Sequence, residues 1–311
     1  MNDSCNVVSA FCTAAVQKRI LFLYDSLKKQ GLLPAEINYR QSSFNTKNNN
    51  LFFVSFNQNT KPGLENLMSR MDFKKSQIVI IHCEEENYFD FAVEYEICNI
   101  IHINRLDETV LLGITKRFLR QDLCLEPFFE HRKKIFDKQY LLSGNICTQN
   151  LVETTFEDFI SEIQSPVKNT FIINCHELVT NALAYGVLGI TSNARDKRVH
   201  DIGKYVDIEP GKEITIHLLM NEDIYGISVT DRAGTLTAKR ILERIRRQSI
   251  VAGETIPQGI EDYTGRGLAI LSHHGTLVFS IKPGEFTSVS LISHTKEPFE
   301  KKFISILTTE L

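Results

Sequence analysis

The chain has 311 residues, 42% of them hydrophobic and 23% charged, with a formal net charge of −3. That balance belongs to a globular protein of one large or two ordinary domains and gives no case for nucleic acid as a bulk partner. No apolar run reaches the length of a membrane span, the N-terminus MNDSCNVVSAFCTAAVQKRI has no cationic stretch ahead of an apolar core, and the seven cysteines lack CxxC spacing, so a cytoplasmic protein with reduced thiols and no membrane partner is the expectation.

In chain order, KRILFLYD (18–25) reads as a buried strand, followed by the short SLKKQG. Beyond the polar patch NTKNNN come the strand LFFVSF (51–56) and a helix, GLENLMSRM (63–71). SQIVIIHC (76–83) is the next buried strand, FAVEYEI (91–97) a short helix, NIIHIN (99–104) a strand and ETVLLGITKRFLRQ (108–121) an amphipathic helix. Nearly continuous apolar strands alternating with helices predict a parallel sheet covered on both faces. Cys83, Cys98 and Cys175 lie in apolar runs and read as small core residues.

Residues 122–145 are more polar, contain EHRKKIFDKQ, and read as a connecting segment with helical character. NLVETTFEDFISEI (150–163) reads as strand-like and then helical, and leads into a long helix that carries HELVTNALAYG (176–186). The apolar set Phe171, Ile172, Cys175, Val179, Ala182 and Leu183 gives that helix a buried face. A polar stretch, 189–211, follows as a long loop or insertion. KEITIHLLM (212–220) and YGISVTD (225–231) flank NED as a hairpin, TAKRILERIRRQ (237–248) is a helix, and GRGLAILSHHG (265–275) is a Gly-rich turn entering a helix. TLVFSIKPG and FTSVSLISH form a second hairpin, so the second half is expected to be an α/β sandwich with helices on a mixed or antiparallel sheet. The predicted organisation is an α/β domain over 1–121, a linker over 122–145, an α/β sandwich over 146–296 and a C-terminal tail over 297–311.

Three pieces of the second half carry chemistry. Glu177 and Asn181 stack one helical turn apart on the face beside the buried one, where a carboxamide could ligate Mg²⁺ and a carboxylate could act as a base; alone, they also fit a solvated helix edge. DRAG (231–234) puts an aspartate at a strand end, able to accept from an exocyclic amine, with Gly234 three residues on. TGRGLAIL (264–271) puts Gly265 and Gly267 at a helix start, where bare backbone N–H groups and the helix dipole suit phosphate. Each piece also has a structural reading: a turn cap at Asp231, helix–sheet packing at the glycines. The ordered triple is much more specific than any one of them.

ELVTNALAYG, VTDRAG and TGRGLAIL resemble the N, G1 and G2 boxes of the Bergerat-fold ATPases, and the ELxxNAxxYG form is most similar to the anti-sigma-factor serine kinases. The resemblance covers residues 140–295. It implies an ATP and Mg²⁺ site with Glu177 as catalytic base, Asn181 as metal ligand, Asp231 as adenine reader with Thr287 beside it, and Gly234, Gly265 and Gly267 at the nucleotide. It also implies a protein partner and a homodimer. Ala233 and Thr235 stand where the G1 box carries glycines, so binding is implied more firmly than turnover. The insertion at 189–211 is a second departure. Arg240, Arg244, Arg246 and Arg247 lie on the segment matching the ATP lid, where they read as phosphate contacts, contacts to an acidic partner, or a solvated face. His273 and His274 complete no metal-ligand spacing.

The first half resembles, far less closely, a response-regulator receiver. NLFFVSFNQNTKPGLENL (50–67) fits the family's third strand, loop and helix, which puts Ser55 at the phosphoacceptor position and Gly63 at the loop glycine. Tyr24 and Asp25 would then occupy the acidic metal-binding place, His82 or Cys83 that of the hydroxyl, and Asn104 or Arg105 that of the lysine. Serine cannot form the acyl phosphate, so the resemblance implies a degenerate receiver that docks or dimerises; an unrelated α/β domain is the other reading. The whole chain is expected to be a signalling protein with an anti-sigma-type serine/threonine kinase or regulator activity. The alternative is a non-catalytic ATP sensor. A conventional histidine kinase is disfavoured because HRKK after His131 lacks the acidic neighbour, and the length excludes a gyrase-type or chaperone ATPase.

Overall fold

The computed structural model describes residues 5–33, 38–41, 49–56, 59–70, 76–82, 88–120, 124–190, 204–249, 258, 266–296 and 303–308. The first half runs β1 (Cys5–Ala10), α1 (Ala14–Lys29), β2 (Asn38–Gln41), β3 (Asn49–Ser55), α2 (Lys61–Met68), β4 (Ser76–His82), α3 (Tyr88–Glu94), β5 (Asn99–His102) and α4 (Glu108–Arg120). Its five strands are all parallel, in the order β2-β1-β3-β4-β5, as the continuous apolar runs predict.

One element differs from the sequence reading. KRILFLYD is not a strand but the middle of α1. Val16, Ile20, Leu23, Tyr24 and Leu27 recur at three- and four-residue spacing and are buried, whereas Phe22 is 69% exposed. Thr13 caps the helix by accepting the N–H of Val16, and Lys28 and Lys29 close its last turn, where cations suit the dipole. The unbroken apolar string hides this amphipathicity because two of its large residues, Leu21 and Phe22, face outward. The true first strand is CNVVSA, so Tyr24 and Asp25 lie within a helix and the end of β1 is Ala10.

The second half runs β6 (Phe136–Leu142), β7 (Gly144–Cys147), α5 (Leu151–Thr155), α6 (Glu157–Glu162), α7 (Ser165–Asn181), β8 (Tyr205–Ile208), β9 (Ile214–Met220), β10 (Ile224–Asp231), α8 (Ala238–Arg247), α9 (Arg266–His274), β11 (Thr276–Lys282), β12 (Phe286–His294) and β13 (Phe303–Thr308). Both expected hairpins form, β9–β10 and β11–β12. The segment read as a linker contains β6, which pairs with β9; its alternation of half-buried Phe136 and Tyr140 with exposed Asp137 and Gln139 is masked by charges that suit a sheet edge. The strand-like start of 150–163 is helical, in α5.

The two halves share one eleven-stranded sheet, ordered β2-β1-β3-β4-β5-β13-β11-β12-β10-β9-β6. The segment read as a tail contains the joining strand: β13 lies antiparallel to β5 and parallel to β11. Ile304 and Ile306 bury on one side of it, and Ser305 on the other meets Arg117 of α4. One core, on the face covered by α1 and α4, includes Phe128 and Phe129; the other lies beneath α2, α3 and α5 to α9. Among the described residues no helix is long and apolar enough to cross a membrane.

Candidate nucleotide cleft

α7 buries Phe171, Cys175, Leu178 and Val179 against the sheet and leaves Glu177 and Asn181 half-buried on its adjoining face. Past Asn181 the helix widens into a π turn, Ala182–Val187, in which Leu188 N–H donates to Leu183 C=O at 2.9 Å. Such wide turns displace a helix locally and recur at functional sites. Here the turn brings Gly186 against the end of β10: a Cβ at Gly186 would collide with the Asp231 Cβ and lie 2.7 Å from its Cγ.

α7, the π turn, β10, β12, α8 and α9 enclose a cleft of about 1060 Å³, open solvent at its mouth included. Four of the sequence-predicted residues line it: Asn181, Asp231, Gly267 and Thr287. Asp231 and Thr287 are directly paired in the β10–β12 register and are 8% and 3% exposed. Asp231 Oδ1 accepts the Ala233 N–H at 2.9 Å, while Thr287 Oγ1 has no hydrogen-bond partner among the described residues. Burial pushes the Asp231 carboxyl up to about 6, against the opposing pull of the Ala233 and Gly234 amides.

At the other end of the cleft α9 approaches α7. A Cβ on Gly267, in the first turn of α9, would collide with Glu177 Oε2 and sit 3.3 Å from Asn181 Nδ2. Glu177, Asn181 and that helix start therefore converge, and any side chain at Gly267 would require the Glu177 carboxylate to move. Gly265 lies outside the described residues. Gly234 is not among the residues that line the cleft, but its amide bonds Asp231; it takes φ +57°, its C=O accepts from Gly284 N–H at 3.1 Å, and a Cβ there would meet the β11–β12 turn. Thr235 lines the cleft beside it.

The lid-position arginines divide by role. Arg240 and Arg244 line the cleft from α8, and the Arg244 guanidinium lies 5.5 Å from the centre of the Tyr185 ring. Arg246 instead reaches α3, its Nε 2.7 Å from Asp90 Oδ1. His274 turns inward to Asn174 Oδ1 at 2.6 Å, and among the described residues no group of three His, Cys, Asp or Glu could hold a metal. The candidate metal ligand is the carboxamide of Asn181. Gly186 was missed as a site residue, although the YG of HELVTNALAYG carried the signal.

In the first half, β1, β3, β4 and β5 end in Ala10, Ser55, His82 and His102, none of them a carboxylate. His82 stacks on Tyr88 with ring centres 4.1 Å apart and meets His102 edge-on. Asn104 and Arg105 follow β5 in a short 3₁₀ turn; Cys83 lies outside the described residues. No protein-family model matches the chain, and neither does any curated protein sequence.

Proposed function

We propose that the cleft binds Mg²⁺·ATP in a Bergerat-type domain, and that the chain is a cytoplasmic signalling protein acting on a protein partner as an anti-sigma-type serine/threonine kinase or regulator. One observation carries the reading: Asp231 and Thr287 stand paired in the buried floor of the same cleft that Asn181 and Gly267 line, with Glu177 outside the lining but against Gly267. A buried carboxylate beside an unpartnered hydroxyl suits the amine and ring nitrogen of a purine, because burying polar groups unmatched is costly. Asn181 supplies a hard oxygen for Mg²⁺, and the N–H groups that open α9 suit phosphate. Bound Mg²⁺ supplies neutralisation of phosphate charge. Glu177 is placed to orient a substrate hydroxyl and accept its proton, and Arg240 and Arg244 add positive charge at the mouth.

The first five strands have the flavodoxin-like order of doubly wound sheets, which supports a receiver-like first half. The absence of a carboxylate from the four named strand ends supports a degenerate one that docks or dimerises.

The second reading, a non-catalytic ATP sensor, is favoured by two features. Ala233 stands at a G1 glycine position with its amide already engaged by Asp231, and α8, which lines the cleft, is tied to α3 through Arg246 and Asp90. The test is calorimetric ATP binding together with phosphate release and transfer to candidate partners, for wild type, Asn181→Ala and Glu177→Ala. The kinase reading expects binding lost in Asn181→Ala, and binding kept with turnover lost in Glu177→Ala. Binding without turnover leaves the sensor; an absence of binding refutes both.

A further inference from the structure

A second cavity opens on the opposite face of the sheet, at the strand ends remote from Asp231, and encloses about 1390 Å³ with its mouth. α1, the start of α4, the turn after Phe128 and the β9–β10 turn wall it. Its apolar side is formed by Leu23, Val110, Phe128, Ile224 and Ile292, with Phe22 at the rim.

The polar side has an imbalance. Its three carboxylates already have donors: Asp107 Oδ1 accepts Val110 N–H at 2.9 Å, Glu108 Oε1 accepts from Ser26 Oγ at 2.5 Å, and Asp223 pairs with Arg132. Its donors are not matched in the same way. The side chain of Asn221 is held by its Oδ1, which accepts the N–H groups of Asp223 and Ile224, each at 3.0 Å. That fixes the amide, and Nδ2, on a residue 1% exposed, has no partner among the described residues. The His131 ring sits with Nε2 3.2 Å from Thr109 Oγ1 and with Nδ1 buried and unpartnered. Burial, and then Arg132, lowers its pKa. Lys296 forms no ion pair among the described residues. It follows Thr295, whose N–H donates to Asp223 C=O at 2.9 Å just past the end of β12, and Lys296 and Asn221 both line the cavity.

We propose that this cavity is a second ligand site, for a small organic carboxylate whose apolar body lies on the Leu23, Val110 and Ile292 side and whose carboxylate accepts from Asn221 Nδ2 and pairs with Lys296. A carboxylate matches a buried amide donor beside an exposed cation, and the apolar wall selects against a bare inorganic anion.

The probe is 2-naphthoate, titrated by calorimetry and by saturation-transfer NMR into the full chain, with inorganic phosphate titrated in parallel. Wild type is expected to bind naphthoate, Lys296→Arg to bind it similarly, and Lys296→Glu to bind it about tenfold more weakly or worse, the scale of one lost charge-assisted contact. Asn221→Leu is expected to abolish binding and, because it also removes the acceptor of two turn amides, to lower the thermal midpoint; if that variant fails to fold, the Lys296 pair decides alone. No binding to wild type, equal binding to Lys296→Glu, or a folded Asn221→Leu that binds normally overturns the proposal. Phosphate binding as tight as naphthoate overturns the assignment to an apolar-bodied carboxylate.

Discussion

Burial holds the Asp231 carboxyl up to about 6, so above that pH the folded protein keeps a charge where its surroundings disfavour it. The sign follows from the raised pKa: the penalty is absent below the ordinary value of 3.8, develops as pH rises towards about 6, and is complete above it. Removing the charge should therefore stabilise the ligand-free protein by about 3 kcal/mol at pH 7. Asp231→Asn, which keeps an oxygen for the Ala233 N–H, is expected to show that gain in urea unfolding at pH 7, to lose most of it at pH 4, and to bind ATP about tenfold more weakly. An equal effect at both pH values would exclude burial of the charge as its cause. Gly267 gives a second test at this scale. The atom a Cβ would strike is the tip of Glu177, a flexible side chain, so Gly267→Ala should change stability by less than about 1 kcal/mol. Because Glu177 must then move, turnover should fall more than ATP affinity, read from kcat and the calorimetric Kd.

At the scale of elements, α8 touches both the cleft and the first half of the chain. One side of it supplies Arg240 and Arg244 to the cleft, and Arg246 holds α3 of the first half. The Arg246–Asp90 pair is half-exposed on the aspartate side, so its loss should cost only about 0–1 kcal/mol of global stability. Arg246→Ala is expected to raise amide exchange in α8 and α3 without lowering the thermal midpoint appreciably. Unchanged exchange in both helices would show that this pair does not link them. Two element assignments turned on exposure that a linear pattern does not display. α1 puts Phe22 in solvent within an unbroken apolar run, and β6 carries charges along its outward edge.

On the scale of the whole molecule, the join between the halves rests on β13. Arg117, 2% exposed, donates to Phe279 C=O at 2.9 Å, Ser280 Oγ at 2.8 Å and Ser305 Oγ at 3.0 Å, and Ser305 in turn donates to Asn99 Oδ1 at 2.7 Å. This network spans α4, β11, β13 and β5, so removing β13 deprives a buried cation of a partner and exposes two strand edges. A chain ending at residue 296 is expected to lose the single cooperative thermal transition and to aggregate on heating, because open edges pair with other chains. A truncated chain that melted in one transition at the wild-type midpoint would show the seam to be dispensable.

The amino-acid order by itself determined the parallel character of the first strands, the two hairpins, and the candidate pairing of Glu177 with Asn181, since each depends on local period or spacing. It also marked Asp231, Gly267 and Thr287, which the fold places around one cleft. Only the tertiary structure decided that Gly234 serves the β11–β12 turn, that Gly186 makes room for Asp231, and that the last residues close the sheet between the halves. Those outcomes depend on which distant surface each residue meets, and FISILT becomes a central strand because β5 and β11 leave a strand-wide gap between buried faces.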